Sequence, residues 1–434
     1  MPVIVTGQSV FKMPQGQVKE TIRFKFINNL IIIPVEVNGV ELSFLLDSGV
    51  NKPILFNISE NDSLQMRNIK EIYLRGLGRG EATKAYISRG NEFRVKNITN
   101  SLQDIYVIMD QELNFSPRLG FPVHGIIGFD LFRDFIVDIN YISHKIRFYE
   151  RTNYKEKKCK KCREFDLELV NNKPYIVGSV ALEGKKETRV KLLVDSGSSD
   201  ALWLFPNETK SIEIPEKSFR DFLGRGLSGS IFGKRSRVNR FSLADFHLKN
   251  AKVAFPDSLS IKYLRNLKGR NGSLGSEMLK RFHVTFDYKG KKLTLRKNGN
   301  FNEPFKYNMS GIELQHNGLR YVRELGSSFG TTRTLSESNT SNTSSGVQVL
   351  LGDRFRLMLY PSFEIAEIRE SSPAAISGLR TGDVILSVNG KQAHRYSLHE
   401  IVEMINRKEG QRVKIKVDRG GKKLNFYFQL KKVL

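Results

Sequence analysis

Through its first 300 residues the chain reads as short apolar runs separated by turn residues, a pattern of strands rather than helices. FKFI, LIIIPVEV and ELSFLL are three such runs, and Asn38-Gly39 between the last two is a hairpin signal. Two stretches organise the rest: SFLLDSGVNKPILF (43–56) and KLLVDSGSSDALW (191–203). Each ends a run of three apolar residues in Asp-Ser-Gly, which sets Asp47 and Asp195 148 residues apart. One such triplet would carry little weight, but here the surroundings repeat as well.

Upstream lie two predicted hairpins, NNLIIIPVEVNGVEL and NNKPYIVGSVALEGKKETRV. Downstream, Arg75-Gly76-Leu77 is matched by Arg225-Gly226-Leu227, and 124–149 by 271–296. Within the last pair Gly125/Gly272, Gly128/Gly275, Phe135/Phe282, Val137/Val284 and Tyr141/Tyr288 fall in register. Three landmarks in one order at nearly constant offset predict two copies of one mainly β lobe, 20–150 and 165–300, joined by a connection at 151–164.

A third module is expected over 305–434. Its stretch 327–346, SSFGTTRTLSESNTSNTSSG, has almost nothing to bury and is expected to be a disordered insertion. The remainder predicts a short Pro-started helix ended by Gly378, a strand into Asn389-Gly390, and a helix opened by a capping box, Ser397-x-x-Glu400. That helix carries Leu398, Ile401, Val402 and Ile405 on one face. VKIKV and LNFYF close the module as a hairpin.

A length of 434 residues allows two to four domains, and the 39% apolar share is ordinary for a globular protein. No run approaches the ~18 apolar residues of a membrane helix. The opening MPVIVTGQSVFKM lacks a signal-peptide pattern, so the chain as given is expected to be soluble, and periplasmic or secreted if a leader was removed. The net charge of +25 favours nonspecific attraction to acidic surfaces, yet no nucleic-acid module accompanies it, and a solvated basic surface is the expectation. The only cysteines, Cys159 and Cys162, are too few for a four-ligand zinc site; a local disulfide or two free thiols is expected, with no metal or cofactor.

Candidate chemistry rests on the two aspartates. Hydrolysing a peptide bond without metal or covalent intermediate needs a base to activate water and an acid to protonate the carbonyl. Two carboxylates sharing one proton supply both, because like charges a few ångström apart cannot both ionise. Apolar-apolar-Asp-Ser-Gly, a glycine-rich hairpin and apolar-apolar-Gly (Ile126-Ile127-Gly128) before a short helix resemble a lobe of the pepsin and retropepsin-like aspartic peptidases. The resemblance implies a bilobal, mainly β fold of double β-barrel type with Asp47 and Asp195 catalytic. Ser48, Gly49, Ser196, Gly197 and Ser198 would support them, and Gly76, Leu77, Gly78 with Gly226, Leu227, Gly229 would form two flaps. The hydroxyl of Ser48 or Ser196 would reach across the dyad's base to the opposite strand. Ser198 can donate to Asp195 where Val50 cannot donate to Asp47, so Asp195 is expected to be the ionised partner. Ser273 departs from the pattern, standing where an apolar residue is usual.

The order SPA, GLRTGD, ILSVNG (372–390) resembles a bacterial PDZ domain, an α+β module that takes an extended peptide as an added strand beside a helix. The groove is expected between strand 363–368 and helix 397–407, lined by Phe363, Ile365, Leu398, Ile401 and Val402. LMLYP stands before Phe363 in place of the usual glycine-containing carboxylate loop. The functional expectation is an aspartic endopeptidase acting on polypeptides, monomeric because one chain supplies both aspartates. Its PDZ domain would bind a peptide ligand or substrate, or regulate the cleft. No dedicated nucleic-acid partner and no membrane span are expected. The alternatives are an inactive protease-like scaffold serving a PDZ peptide-binding protein, and a basic polyanion binder.

Overall fold

The computed structural model describes residues 9–58, 64–78, 80–109, 114–155, 159–261, 269–325 and 355–434. The Ser/Thr/Asn-rich stretch 327–346 lies outside the described residues.

Asn28-Asn29 and Asn171-Asn172 adopt the same pair of left-handed conformations, φ 49° and 63° in both copies. Asparagine tolerates this region, and two such residues in succession turn one strand tightly into the next. From these turns two eight-stranded sheets grow with one topology. In the first, the spatial order is Lys25–Ile27, Leu30–Val37, Val40–Leu46, Gly125–Ile127, Ile54–Leu55, Ile98–Val107, Thr83–Val95, Lys70–Leu74. In the second it is Glu168–Val170, Lys173–Ala181, Thr188–Asp195, Gly272–Gly275, Leu202–Leu204, Phe246–Pro256, Gly229–Leu243, Phe219–Gly226. Each strand has its counterpart, so the sequence repeat is a repeat of architecture.

A six-stranded sheet ties the copies together. Strand Ile136–Asn140 pairs antiparallel with Phe282–Asp287, Ile139 opposite Val284. Cys162–Asp166 forms its far edge, just after a disulfide that joins Cys159 to Cys162. The apolar residues of both lobes merge across this seam into one cluster that includes Leu46, Phe132, Val137, Val194, Phe282 and Phe286. Each such fully buried side chain contributes about 1.5–3 kcal/mol. The chain is thus mostly β, with no helix among the described residues long and apolar enough to cross a membrane.

The last sheet has its own core, built on Ile365, Ile385, Leu398, Ile401, Ile415 and Val417. Its helix Leu398–Met404 begins at Ser397 with both capping-box hydrogen bonds formed. A long hairpin, Ile312–Leu325 against Phe355–Ile368, corrects the expected position of the groove. Phe363 faces His316 across one side of its strand, while on the other Glu364 pairs with Val384 and the Ile365 amide donates to the Asp383 carbonyl. Phe363 and Ile365 are therefore interior, with no edge to offer a peptide. The strand at the end of the sheet is Ile312–Leu325, and its start lies against the helix.

Candidate active site

Each strand that ends in Asp-Ser-Gly runs parallel to the strand that crosses behind it: Leu46 lies beside Ile127, and Val194 beside Leu274. The Asp47 amide donates to the Ile127 carbonyl at 2.9 Å. A Cβ at Gly128 would lie 1.7 Å from the Asp47 carbonyl oxygen, so only glycine lets the backbones pass. This fixes the height at which the chain turns through Asp-Ser-Gly.

The two turns are locked to one another by reciprocal hydrogen bonds. Ser48 Oγ donates to the Val194 carbonyl at 2.7 Å and Ser196 Oγ to the Leu46 carbonyl at 2.9 Å. In return each hydroxyl accepts the other serine's amide, at 2.9 and 3.0 Å. Both serines are fully buried. Gly49 and Gly197 bring the carboxylates face to face: the Gly49 amide donates to Asp47 at 2.6 Å, and the Gly197 amide to Asp195 at 3.2 Å. Asp47 lies so close to the opposite turn that a Cβ at Gly197 would sit 2.4 Å from its carboxylate.

Burial, then the charge of Asp195, pushes the Asp47 carboxyl up to about 7. Asp195 is raised too, by burial, but Arg270, Lys173 and the Gly197 and Ser198 amides all favour its charged form. Both carboxyls are therefore held above the ordinary range and titrate as a pair, and the Gly49 amide, Lys173 and the Gly197 amide favour the charged form of Asp47 in the same way. The Ser198 hydroxyl, expected to donate to Asp195, makes no such bond among the described contacts; the Ser198 backbone amide does.

The glycine-rich hairpins meet tip to tip. The Ser228 amide donates to the Leu77 carbonyl at 2.9 Å, and the Gly80 amide to the Ser228 carbonyl at 2.7 Å. A Cβ at Gly78 or Gly226 would lie 2.2 Å from backbone of the opposite tip. Leu77 packs with Trp203, Phe205 and Ile231 of the second lobe, and Leu227 with Leu30, Ile126 and Val123 of the first. Gly76 abuts the Leu227 side chain, and Gly229 opens the return strand with φ 100°.

Several residues that hold this site carried no role in the sequence. Tyr288, visible there only as a repeat landmark, donates from a buried hydroxyl to the Ser48 carbonyl at 3.0 Å. Arg235 links Asp200 (2.7 Å) to Asp221 (2.8 Å) beneath the second hairpin, and Asp200 also accepts from the Trp203 indole. Lys173 and Arg270, partly exposed beside the dyad, are the other pair. Their signal was a change of charge between the copies, Leu30 becoming Lys173 and Val123 becoming Arg270.

In the last module, Leu398 and Ile401 are buried on the helix facing the strand Ile312–Leu325, and Val402 is half-buried beside them. A glycine-containing loop does precede this strand. Its Met309 and Ser310 amides donate to the Asn406 side chain and its Gly311 amide to the Asn308 side chain. First-lobe residue Gly120 lies between the walls, where a Cβ would stand 3.0 Å from Leu398 and 3.5 Å from His316. Next to it Arg118 pairs with Glu367 at 3.1 Å and covers the Phe222 ring.

Comparison with known families gives two matches. Residues 33–131, which hold Asp47 and the Gly128 crossing, match the aspartyl protease family, and residues 341–430 match the PDZ domain family. The chain therefore carries an aspartyl protease domain, duplicated in the structure as a second lobe, followed by a PDZ domain.

Proposed function

We propose that the chain is an aspartic endopeptidase whose catalytic pair is Asp47 and Asp195. Ionised Asp195 takes a proton from water as the hydroxide adds to the scissile carbonyl carbon, while Asp47 gives its proton to the carbonyl oxygen. Collapse of the tetrahedral species then breaks the C–N bond as the nitrogen takes a proton from the pair. The observation that carries this reading is the convergence of two carboxylates, one per lobe, through the paired serine hydrogen bonds. Substrate would lie extended between the lobes under the joined tips, its backbone pairing with theirs. The PDZ domain would take an extended peptide along Ile312–His316, against Leu398, Ile401 and Val402, where Gly120 now sits.

Digestion of a mixed peptide library by the wild type beside Asp47→Asn and Asp195→Asn tests the reading. Each substitution is expected to lower cleavage at least ~100-fold, the scale of lost acid–base catalysis. A hydroxyl-bearing mimic of the tetrahedral species should inhibit the wild type. Wild-type cleavage by either variant would sink the assignment.

A further inference from the structure

The two lobes present chemically different walls to the cleft. Side chains alternate along a strand, so Leu45 shares a face with Asp47, and Leu193 with Asp195. Across from Leu45 stand Ile32 and Ile126; across from Leu193 stand Tyr175 and Ser273. Leu30 follows the first Asn-Asn turn where Lys173 follows the second, and Val123 holds the place that Arg270 holds in the second copy. The first wall, with Leu30, Ile32, Leu45, Val123 and Ile126, is a closed apolar cluster. In the second, three of those places are Lys173, Arg270 and Ser273.

These changes fit one another. Arg270 donates from Nη2 to Ser273 Oγ at 2.6 Å and from Nε to the Gly272 carbonyl at 3.1 Å, with its guanidinium over the Phe205 ring. Ser273, anomalous as a core residue, anchors the arginine. Phe205 belongs to the cluster that also takes Leu77 from the first hairpin tip, so this wall lies under the closed cover. Neither Lys173 nor Arg270 has a carboxylate within ion-pair distance among the described residues; the nearby Lys191 and Glu168 satisfy each other at 2.7 Å. Burial and mutual repulsion lower the lysine's affinity for its proton, and burial lowers the arginine's, the dyad offsetting both in part. Two half-desolvated cations that share the single negative charge of the dyad keep a net positive charge, and side by side they form a receptor for a further anion.

We propose that Lys173 and Arg270 form a carboxylate-binding subsite on the second-lobe wall, which selects an aspartate or glutamate side chain of the substrate close to the scissile bond. The first-lobe wall takes an apolar residue on the other side. The inference rests on the peptidase reading and gives it a substrate class: polypeptides with an acidic residue on one side of the cut. The protein's excess of positive charge would draw such segments towards it.

The test uses the full chain and matched peptides that differ only in Glu, Gln or Leu at each position around one cleavage site. At one position the Glu peptide should exceed the Gln peptide by about 10- to 100-fold in kcat/KM, the worth of a charged hydrogen-bonded contact. Lys173→Leu with Arg270→Val, the first lobe's own residues, should collapse that ratio to about one. Lys173→Gln and Arg270→Gln, which keep polar side chains, serve if the apolar pair does not fold. Equal cleavage of Glu and Gln peptides by an enzyme that Asp47→Asn inactivates overturns the subsite and leaves the peptidase standing. If no peptide is cut, the peptidase reading has failed, and binding of the same peptides to the wild type decides the subsite. Tighter, salt-sensitive binding of the Glu peptide, lost in the double variant, supports it; equal binding overturns it. A variant that shifts the pH profile without changing the Glu-to-Gln ratio also overturns it, because the cations would then only tune the dyad.

Discussion

At the scale of single residues the dyad sets the pH response. One proton must be shared, so activity is expected to fall at high pH as the pair gives it up, with Asp47 pushed up to about 7 by burial and by Asp195. At low pH it is expected to fall as the pair takes up its second proton. Lys173 favours the charged form of both carboxyls, so replacing it with leucine raises both and moves the acidic limb upward, the basic limb rising with it. An unmoved acidic limb would contradict this electrostatic account. Stability follows the same groups. A carboxyl held above its unfolded value binds its proton more tightly in the folded state, so its cost appears as pH rises past the ordinary carboxylate range and is complete above about 7. Asp47→Asn should therefore raise the unfolding free energy at pH 8, by an amount on the order of a few kcal/mol, and change it little at pH 4. Calorimetry at the two pH values measures the difference.

At the scale of elements, the serine lock is the part most exposed to a single change. Ser48→Ala strips a hydrogen bond from the Val194 carbonyl and another from the Ser196 amide, both fully buried, and should cost about 2–4 kcal/mol in urea unfolding. A loss under 1 kcal/mol would mean that the turns hold without it. These turns were legible in the sequence because their determinants are local: an apolar run, Asp-Ser-Gly, and a crossing glycine at constant offset. Arg270 and Lys173 were not, because a search for what repeats passes over the places where the copies differ in charge. The PDZ groove was misplaced for a topological reason. Strand 363–368 lies nearer the helix 397–407 in sequence, but the long hairpin carries an earlier segment, Ile312–His316, to the sheet's edge. Neither hydrophobic period nor turn chemistry reveals which of two paired strands lies outermost.

At the scale of the whole molecule, the PDZ domain is fastened to both lobes. Arg118 of the first lobe reaches Glu367 and lies over Phe222 in the second lobe's hairpin. Arg369 of the PDZ domain covers Phe219 in the same hairpin strand, and Arg237 of the second lobe donates to the Phe305 and Leu434 carbonyls. The strand that leads to the second tip is thereby braced by a domain far from the chemistry. Arg118→Glu would set a carboxylate against Glu367 and forfeit the contact with Phe222, each effect loosening the segment that ends at Gly120. Amide hydrogen exchange should then rise in Ile312–His316, Leu398–Met404 and Phe219–Gly226 together, while the lobe seam at Ile136–Asn140 stays protected. Because Gly120 occupies the groove, the same variant should bind extended peptides more tightly at the PDZ domain than the wild type does. Exchange confined to the first-lobe segment, with the groove and hairpin unchanged, would mean that Arg118 fastens only its own turn and that the lobes and the PDZ domain are held by the second-lobe contacts alone.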